Sequence, residues 1–368
     1  MRYLFLFIVT INTYYAPVFS QINSWKESEK IIGVKTQFGY IFSQHPGMRH
    51  LQAHVPMLEV NFNIPTKGNK TWHKLYRYPS MGIAYVYANL GNIDVTGTAH
   101  AVMPYLRLPI IKTKHFEWNY RFAFGIGYLS KHFDRINNIE NIAIGSAFNI
   151  AVNLLFDFHF KVNKKFILSS GIGLSHFSNA SFQTPNLGFN IPSLSLGCYY
   201  QFSKPKQILW TTDSVSQPPQ KKINVMLITS YSLKNIYPPG SRLYSVYTIS
   251  TDVSYKITKR RKIGIGSDLI YDQSLLPRAI SDTSYHALLN NGVNYKAGIN
   301  ISETLIISKL QVSLQMGVYI ARKYNEGQDF YHRFGLRYNV TKHLIANLSL
   351  RTHFAKADCL EWGMGYQF

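Results

Sequence analysis

The chain has 368 residues, with 39 Lys or Arg against 18 Asp or Glu, a formal net charge of +21 and a mean hydropathy of -0.10. It carries 26 Tyr, 23 Phe and 24 Gly but only 15% charged residues, and it shows no convincing helical period, a composition that suits a large β structure. The basic excess asks for an anionic partner; an exported chain makes nucleic acid a poor one, and two cysteines as far apart as Cys198 and Cys359 indicate neither a disulfide framework nor a metal site.

At the N-terminus, Arg2 precedes an apolar run from Tyr3 to Ile11, a polar break, and Val18-Phe19-Ser20 before Gln21. This pattern predicts a secretory signal peptide over residues 1–20, cleaved near Ser20. The run is too short to cross a bilayer, and no other segment supplies about 18 unbroken apolar residues. Export without a transmembrane helix is therefore expected.

Amphipathic strands follow at 31–44, 53–64, 80–90, 97–111, 116–131, 142–162, 165–179 and 187–203, then at 222–234, 245–258, 261–272, 292–307, 310–322, 329–340, 343–355 and 358–368. These are about sixteen, an even number, as single-chain bacterial barrels require. The thirteenth shows the alternation best: Leu310, Val312, Leu314, Met316, Val318 and Ile320 oppose Gln311, Ser313, Gln315, Gly317 and Tyr319. Polar residues on the inner face imply a wet or hydrogen-bonded lumen. Glu361 is expected to point into it, in a structural cross-strand contact with His353.

The last strand ends Trp362-Gly363-Met364-Gly365-Tyr366-Gln367-Phe368. Its alternate aromatics and terminal Phe resemble the signal read by the outer-membrane barrel assembly machinery of Gram-negative bacteria. The fold class is thus all-β, a transmembrane antiparallel β-barrel of about sixteen strands.

Residues 204–221, with Pro205, Gln217, Pro218, Pro219 and Gln220, read as a linker or long turn. Two architectures compete. One barrel closes its first strand on its sixteenth, or an eight-stranded barrel is followed by a second β domain; the terminal signal favours the single barrel. With a periplasmic N-terminus, odd strands run outward, which places 204–221 in the periplasm and the end of the seventh strand level with the outer leaflet.

That strand carries Gly173-Leu174-Ser175-His176-Phe177-Ser178-Asn179, continuing through Asn186 to Asn190. His176 and Ser178 lie two apart and share one face, the more apolar one with Phe166, Leu168, Ile172 and Leu174. A histidine within reach of a serine hydroxyl can take its proton and later return it to a leaving group. On a lipid-facing wall such a pair would meet a lipid substrate, and polar groups there need a functional reason because they cost free energy.

The stretch from His176 to Asn190 resembles the lipid A 3-O-deacylases of the PagL type, and the likeness extends over the first eight strands. It implies an outer-membrane barrel that hydrolyses an ester-linked acyl chain of lipid A in lipopolysaccharide, without a cofactor or metal. By the match, His176 is the general base and Ser178 the nucleophile, while Asn179 and Asn186 occupy positions of polar, oxyanion-stabilising residues. Residues 21–203 become the deacylase half and 222–368 a second half carrying the terminal signal. One departure matters: Asn190 stands where the family has glutamate, and an amide orients an imidazole but cannot stabilise imidazolium as a carboxylate does. Asp134 and Glu140, in the preceding outward loop, are the nearest carboxylates that could be borrowed. A porin-like or purely structural barrel is the alternative from another functional class.

Overall fold

The computed structural model describes residues 24–26, 30–202, 206–208, 222–283, 290–354 and 356–368. The expected signal peptide over 1–20 lies outside the described residues, as does the expected linker over 204–221 apart from 206–208. A short antiparallel pair joins Ser24–Lys26 to Lys206–Ile208. The other strands are β1 (Ile31–Tyr40), β2 (His54–Pro65), β3 (Ser80–Asn89), β4 (Thr98–Lys112), β5 (Phe116–Leu129), β6 (Phe148–Lys161), β7 (Phe166–Ser178) and β8 (Phe189–Gln201). They continue as β9 (Ile223–Lys234), β10 (Tyr244–Lys256), β11 (Arg261–Asp272), β12 (Tyr295–Ile307), β13 (Leu310–Arg322), β14 (Phe330–Asn339), β15 (Leu344–His353) and β16 (Lys356–Gln367).

The expected antiparallel strands all form, but they close as two barrels of eight rather than one of sixteen. β1 returns to β8, with Ile31 opposite Gln201 and Gly39 opposite Ser193. β9 returns to β16, with Met226 opposite Gln367 and Tyr231 opposite Trp362. The preferred closure of the first strand on the sixteenth is therefore replaced by the second of the two readings. The reason lies in the inward side chains. Eight strands enclose a bore just wide enough for side chains to fill, whereas sixteen enclose an aqueous channel. Here long charged residues meet across the bore: Lys35 Nζ lies 2.8 Å from Asp157 Oδ2, and Arg121 forks onto Glu59 at 2.5 and 2.7 Å. In the second barrel Arg333 reaches Glu361 at 2.7 Å and Asp268 at 2.8 Å. These buried pairs occupy the bores with side chains. Glu361 is lumenal as expected, but its register partner is Ser349, and His353 is bonded instead to Tyr319 at 2.9 Å.

Outward residues are apolar and exposed, such as Val34 and Phe38 on β1 and Leu194 and Leu196 on β8, while inward neighbours such as Lys35 and Gln37 are buried. This inverts the soluble pattern and makes lipid the matching solvent. Most of the long connections gather at one end of each barrel, while at the other end tight turns such as 113–115, 162–165 and 340–343 join neighbouring strands, alongside the longer 66–79 connection. The strand expected over 142–162 starts only at Phe148, because 142–147 is held in the loop by Gly188 N–H to Ala143 O at 2.9 Å and Leu129 N–H to Ala147 O at 2.8 Å.

The barrels stand side by side with like ends together. Outward residues of β5 and β6, among them Tyr120, Phe122, Ile150 and Phe156, are half-buried rather than exposed, and the Phe122 ring lies 5.9 Å from that of Phe334 on β14. At the turn end a short helix α1 (Thr71–Leu75) leads to Tyr76, whose hydroxyl donates to Ile306 O at 2.7 Å. At the loop end, a second helix α2 (Leu275–Ser281) lies in the connection from β11 to β12.

Candidate active site

The hydrogen-bond register of β7 and β8 sets His176 directly opposite Asn190. Inward-pointing Phe177, Phe189 and Ile191 are buried and wedge this strand pair from inside, so the polar residues between them face outward. Below that apolar cap, Asn153 donates to Ser175 Oγ at 3.0 Å and accepts from Arg121 at 2.8 Å, tying the strand before His176 to the Glu59 ion pair.

On the outer face three side chains make one line. His176 Nδ1 lies 2.8 Å from Asn190 Oδ1, and Nε2 lies 2.9 Å from Ser178 Oγ. Oδ1 only accepts, so Nδ1 carries the proton and Nε2 is left to accept the Ser178 hydroxyl; this amide orientation is the one the hydrogen bonds select. His176 and Asn190 are half-buried and Ser178 is 5% exposed. Gly188, at φ +76, precedes β8, and a Cβ there would come 3.0 Å from His176 Cε1. Only glycine combines that backbone with that clearance.

The β7–β8 loop turns through two left-handed residues, Ala180 (φ 53) and Ser181 (φ 66), immediately behind the serine. The two asparagines expected beside an oxyanion have different surroundings. Asn179 spends its side chain on the loop, donating to Ser146 Oγ at 2.9 Å and Gln183 O at 2.8 Å and accepting from Gln183 N–H at 3.3 Å. Asn186 accepts the Asn179 N–H through Oδ1 at 2.9 Å, which leaves its Nδ2 buried without a partner. A buried orphan donor costs free energy, on the order of 1–3 kcal/mol, unless a ligand atom meets it.

Neither borrowed carboxylate is delivered. Both ring nitrogens of His176 are already engaged by Asn190 and Ser178. Asp134 Oδ1 accepts from Asn137 N–H at 2.7 Å and Ile136 N–H at 2.9 Å, and these backbone bonds hold its carboxyl below the usual carboxylate range. Glu140 is exposed and meets His50 Nε2 through its backbone oxygen at 2.9 Å.

A contribution from the second barrel was not foreseen. Asn235, just after β9, donates its N–H to Ser181 O at 2.8 Å, and its Oδ1 accepts from Thr184 N–H at 3.2 Å and from the Thr184 hydroxyl. Ser181 Oγ also donates to Ala357 O at 2.7 Å. No spacing in the sequence links positions 181 and 184 to 235, because the contact exists only once two barrels are adjacent. Replacing Asn235 with alanine should loosen the loop behind Ser178 and lower kcat about tenfold or more with little change in KM. A KM effect alone, in steady-state kinetics of the folded variant, would contradict a positioning role.

Among the described residues no three His, Cys, Asp or Glu side chains converge as a metal set.

Residues 57–199 match the family model described as lipid A 3-O-deacylase (PagL), and residues 222–368 match the one described as acyloxyacyl hydrolase, C-terminal domain. No curated protein matches the chain. Among solved structures, Neisserial surface protein A (NspA) is 10% identical, with 47% of this chain and 97% of that one covered and a TM-score of 0.34. A triple mutant of the Rhodopseudomonas blastica porin is 7% identical, with 92% and 99% covered and a TM-score of 0.18.

Proposed function

The chain belongs to the PagL family of lipid A 3-O-deacylases, and from that premise we propose that it is an outer-membrane hydrolase removing the 3-O-linked acyl chain of lipid A by serine-type catalysis. The observation that carries the reading is His176 bridging Ser178 and Asn190 at 2.9 and 2.8 Å on the outward face of the barrel, at its long-loop end. With a periplasmic N-terminus, that end meets the outer leaflet. An acyl chain can approach along the apolar wall while the sugar stays in the polar layer above. Exposed basic residues at that rim, among them Lys131, Arg135 and Arg242, suit lipopolysaccharide phosphates.

Nε2 accepts the Ser178 proton as Oγ attacks the ester carbonyl, and the protonated imidazole then gives that proton to the departing sugar hydroxyl. Water, activated by the same nitrogen, releases the fatty acid from the acyl-serine. The negative charge on the carbonyl oxygen is met by Asn186 Nδ2, whose lack of a protein partner supports this role, and by backbone N–H groups of the loop. Asn179 acts one step back, holding the loop in shape. Asn190 keeps the imidazole in the reactive tautomer without adding charge. No cofactor enters the reaction.

Lipid A incubated with the purified protein in detergent should lose the mass of one hydroxyacyl chain, and an unchanged mass spectrum would overturn the reading. Asn190→Asp keeps the side-chain length and adds charge; Asn190→Glu must fold an extra methylene into the same gap. The aspartate variant should raise kcat about tenfold, equivalent to roughly one pK unit of imidazolium stabilisation. It should also move the acid limb of the pH–rate profile upward, since a neighbouring carboxylate favours protonated imidazole. An unshifted profile would remove Asn190 from the site.

A further inference from the structure

A cavity of about 980 Å³ occupies the loop-end mouth of the second barrel, and its roof is the β7–β8 loop of the first. Its wall includes Asn186, which holds the backbone N–H of the residue directly after Ser178. The opposite wall comes from the second barrel: Tyr237, Arg278, Tyr324, Glu326 and Lys356. The lining carboxylate Asp358 is held by Lys234 at 2.8 Å, and Lys234 also pairs with Asp272.

The lining is mixed, with Ile142, Leu187 and Ile236 set among polar groups. It combines carboxylate, guanidinium, ammonium and amide groups with two tyrosine rings. Burial opposes ionisation of Glu326, but Lys296, Lys234 and Arg278 outweigh it and hold the carboxyl down at about 2, so it accepts hydrogen bonds as an anion. Lys356 is exposed and forms no ion pair among the described residues, and Tyr237 is 64% exposed. Fixed donors and acceptors suit vicinal hydroxyls, the exposed ring of Tyr237 suits the C–H face of a pyranose, and the Lys356 ammonium suits an anionic substituent. The volume lies at the upper end of the range of small-molecule sites, enough for a disaccharide.

We propose that this mouth is the binding site for the phosphorylated saccharide headgroup of the substrate, so that the second barrel holds the sugar while the first barrel cleaves its ester. The proposal rests on reading the chain as a lipid A deacylase. It gives residues 222–368 a task that hydrolysis on the first barrel alone leaves without one. It also accounts for the shared loop: Ser181 and Thr184, clamped on Asn235, join the sugar site to the serine by one short stretch of backbone.

The test uses the full-length Ser178→Ala protein in detergent, titrated calorimetrically with the fully deacylated, phosphorylated glucosamine disaccharide of lipid A. Saturable binding is expected, weakened about tenfold or more in a folded Tyr237→Ala/Lys356→Ala background. Binding that is absent, insensitive to those substitutions, or displaced equally well by inorganic phosphate overturns the proposal. A second measurement leaves Ser178 intact and compares kcat/KM on lipid A with that on a short acyl ester. The same double substitution should lower that ratio about tenfold. An unchanged ratio in an active enzyme sinks the headgroup site alone, whereas headgroup binding by a protein that hydrolyses neither ester supports the site and sinks the hydrolase reading.

Discussion

Ser178→Ala protein is expected to lose about 1,000-fold or more of its kcat/KM on lipid A while migrating as a folded barrel. The loss follows from removing the attacking atom: only binding and oxyanion stabilisation remain, and these leave a small residual rate. His176→Ala should be nearly as severe, since Ser178 Oγ then has no base at 2.9 Å. The double variant should be little worse than either single one, because the two side chains act as a unit. Stability should change little. Ser178 and His176 lie outside the bores, and the wedge behind them is built from Phe177, Phe189 and Ile191. Fatty-acid release measured by mass spectrometry decides the matter: undiminished release from Ser178→Ala would eliminate serine-type catalysis, and additive losses would break the functional pairing.

Glu59→Leu is expected to destabilise the first barrel by about 3–5 kcal/mol, the cost of leaving a buried charge without its partner. Arg121 is fully buried, and both its terminal nitrogens lie on Glu59, one of them also on Asn153. Removing the carboxylate strands the guanidinium in a bore that cannot hydrate it. Adding Arg121→Met should restore much of the lost stability, because replacing both members of a buried pair with apolar groups is often near neutral. Activity in the rescued protein should stay reduced. The Arg121–Asn153–Ser175 chain supports the strand that presents His176, and an apolar substitute does not rebuild it. Unfolding from lipid vesicles, followed by the gel shift of the folded form, measures the first effect; equal stability of single and double variants would show that the pair carries no such cost.

Much of this molecule was legible before any coordinate. Period-two alternation locates the sixteen barrel strands, since one wall faces lipid and the other a polar bore; the short pair Ser24–Lys26 with Lys206–Ile208 carries no such signal. His176 and Ser178 were placed on one outward face by parity, and Asn190 on the matching face of the next strand; cross-strand register converts that parity into contact. Boundaries inside long loops were less legible, as at 142–147, where hydrogen bonds to distant backbone override local propensity. Closure was not legible at all. Each strand's pattern reads the same in a barrel of eight or sixteen, and the choice rests on side chains that meet across a bore, as Lys35 meets Asp157 and Arg333 meets Asp268. The same limit hid Asn235 and the cavity above the second barrel. Alternation records which side of a wall a residue faces, but packing against a second wall depends on distances between strands remote in sequence, and only the folded pair of barrels sets those.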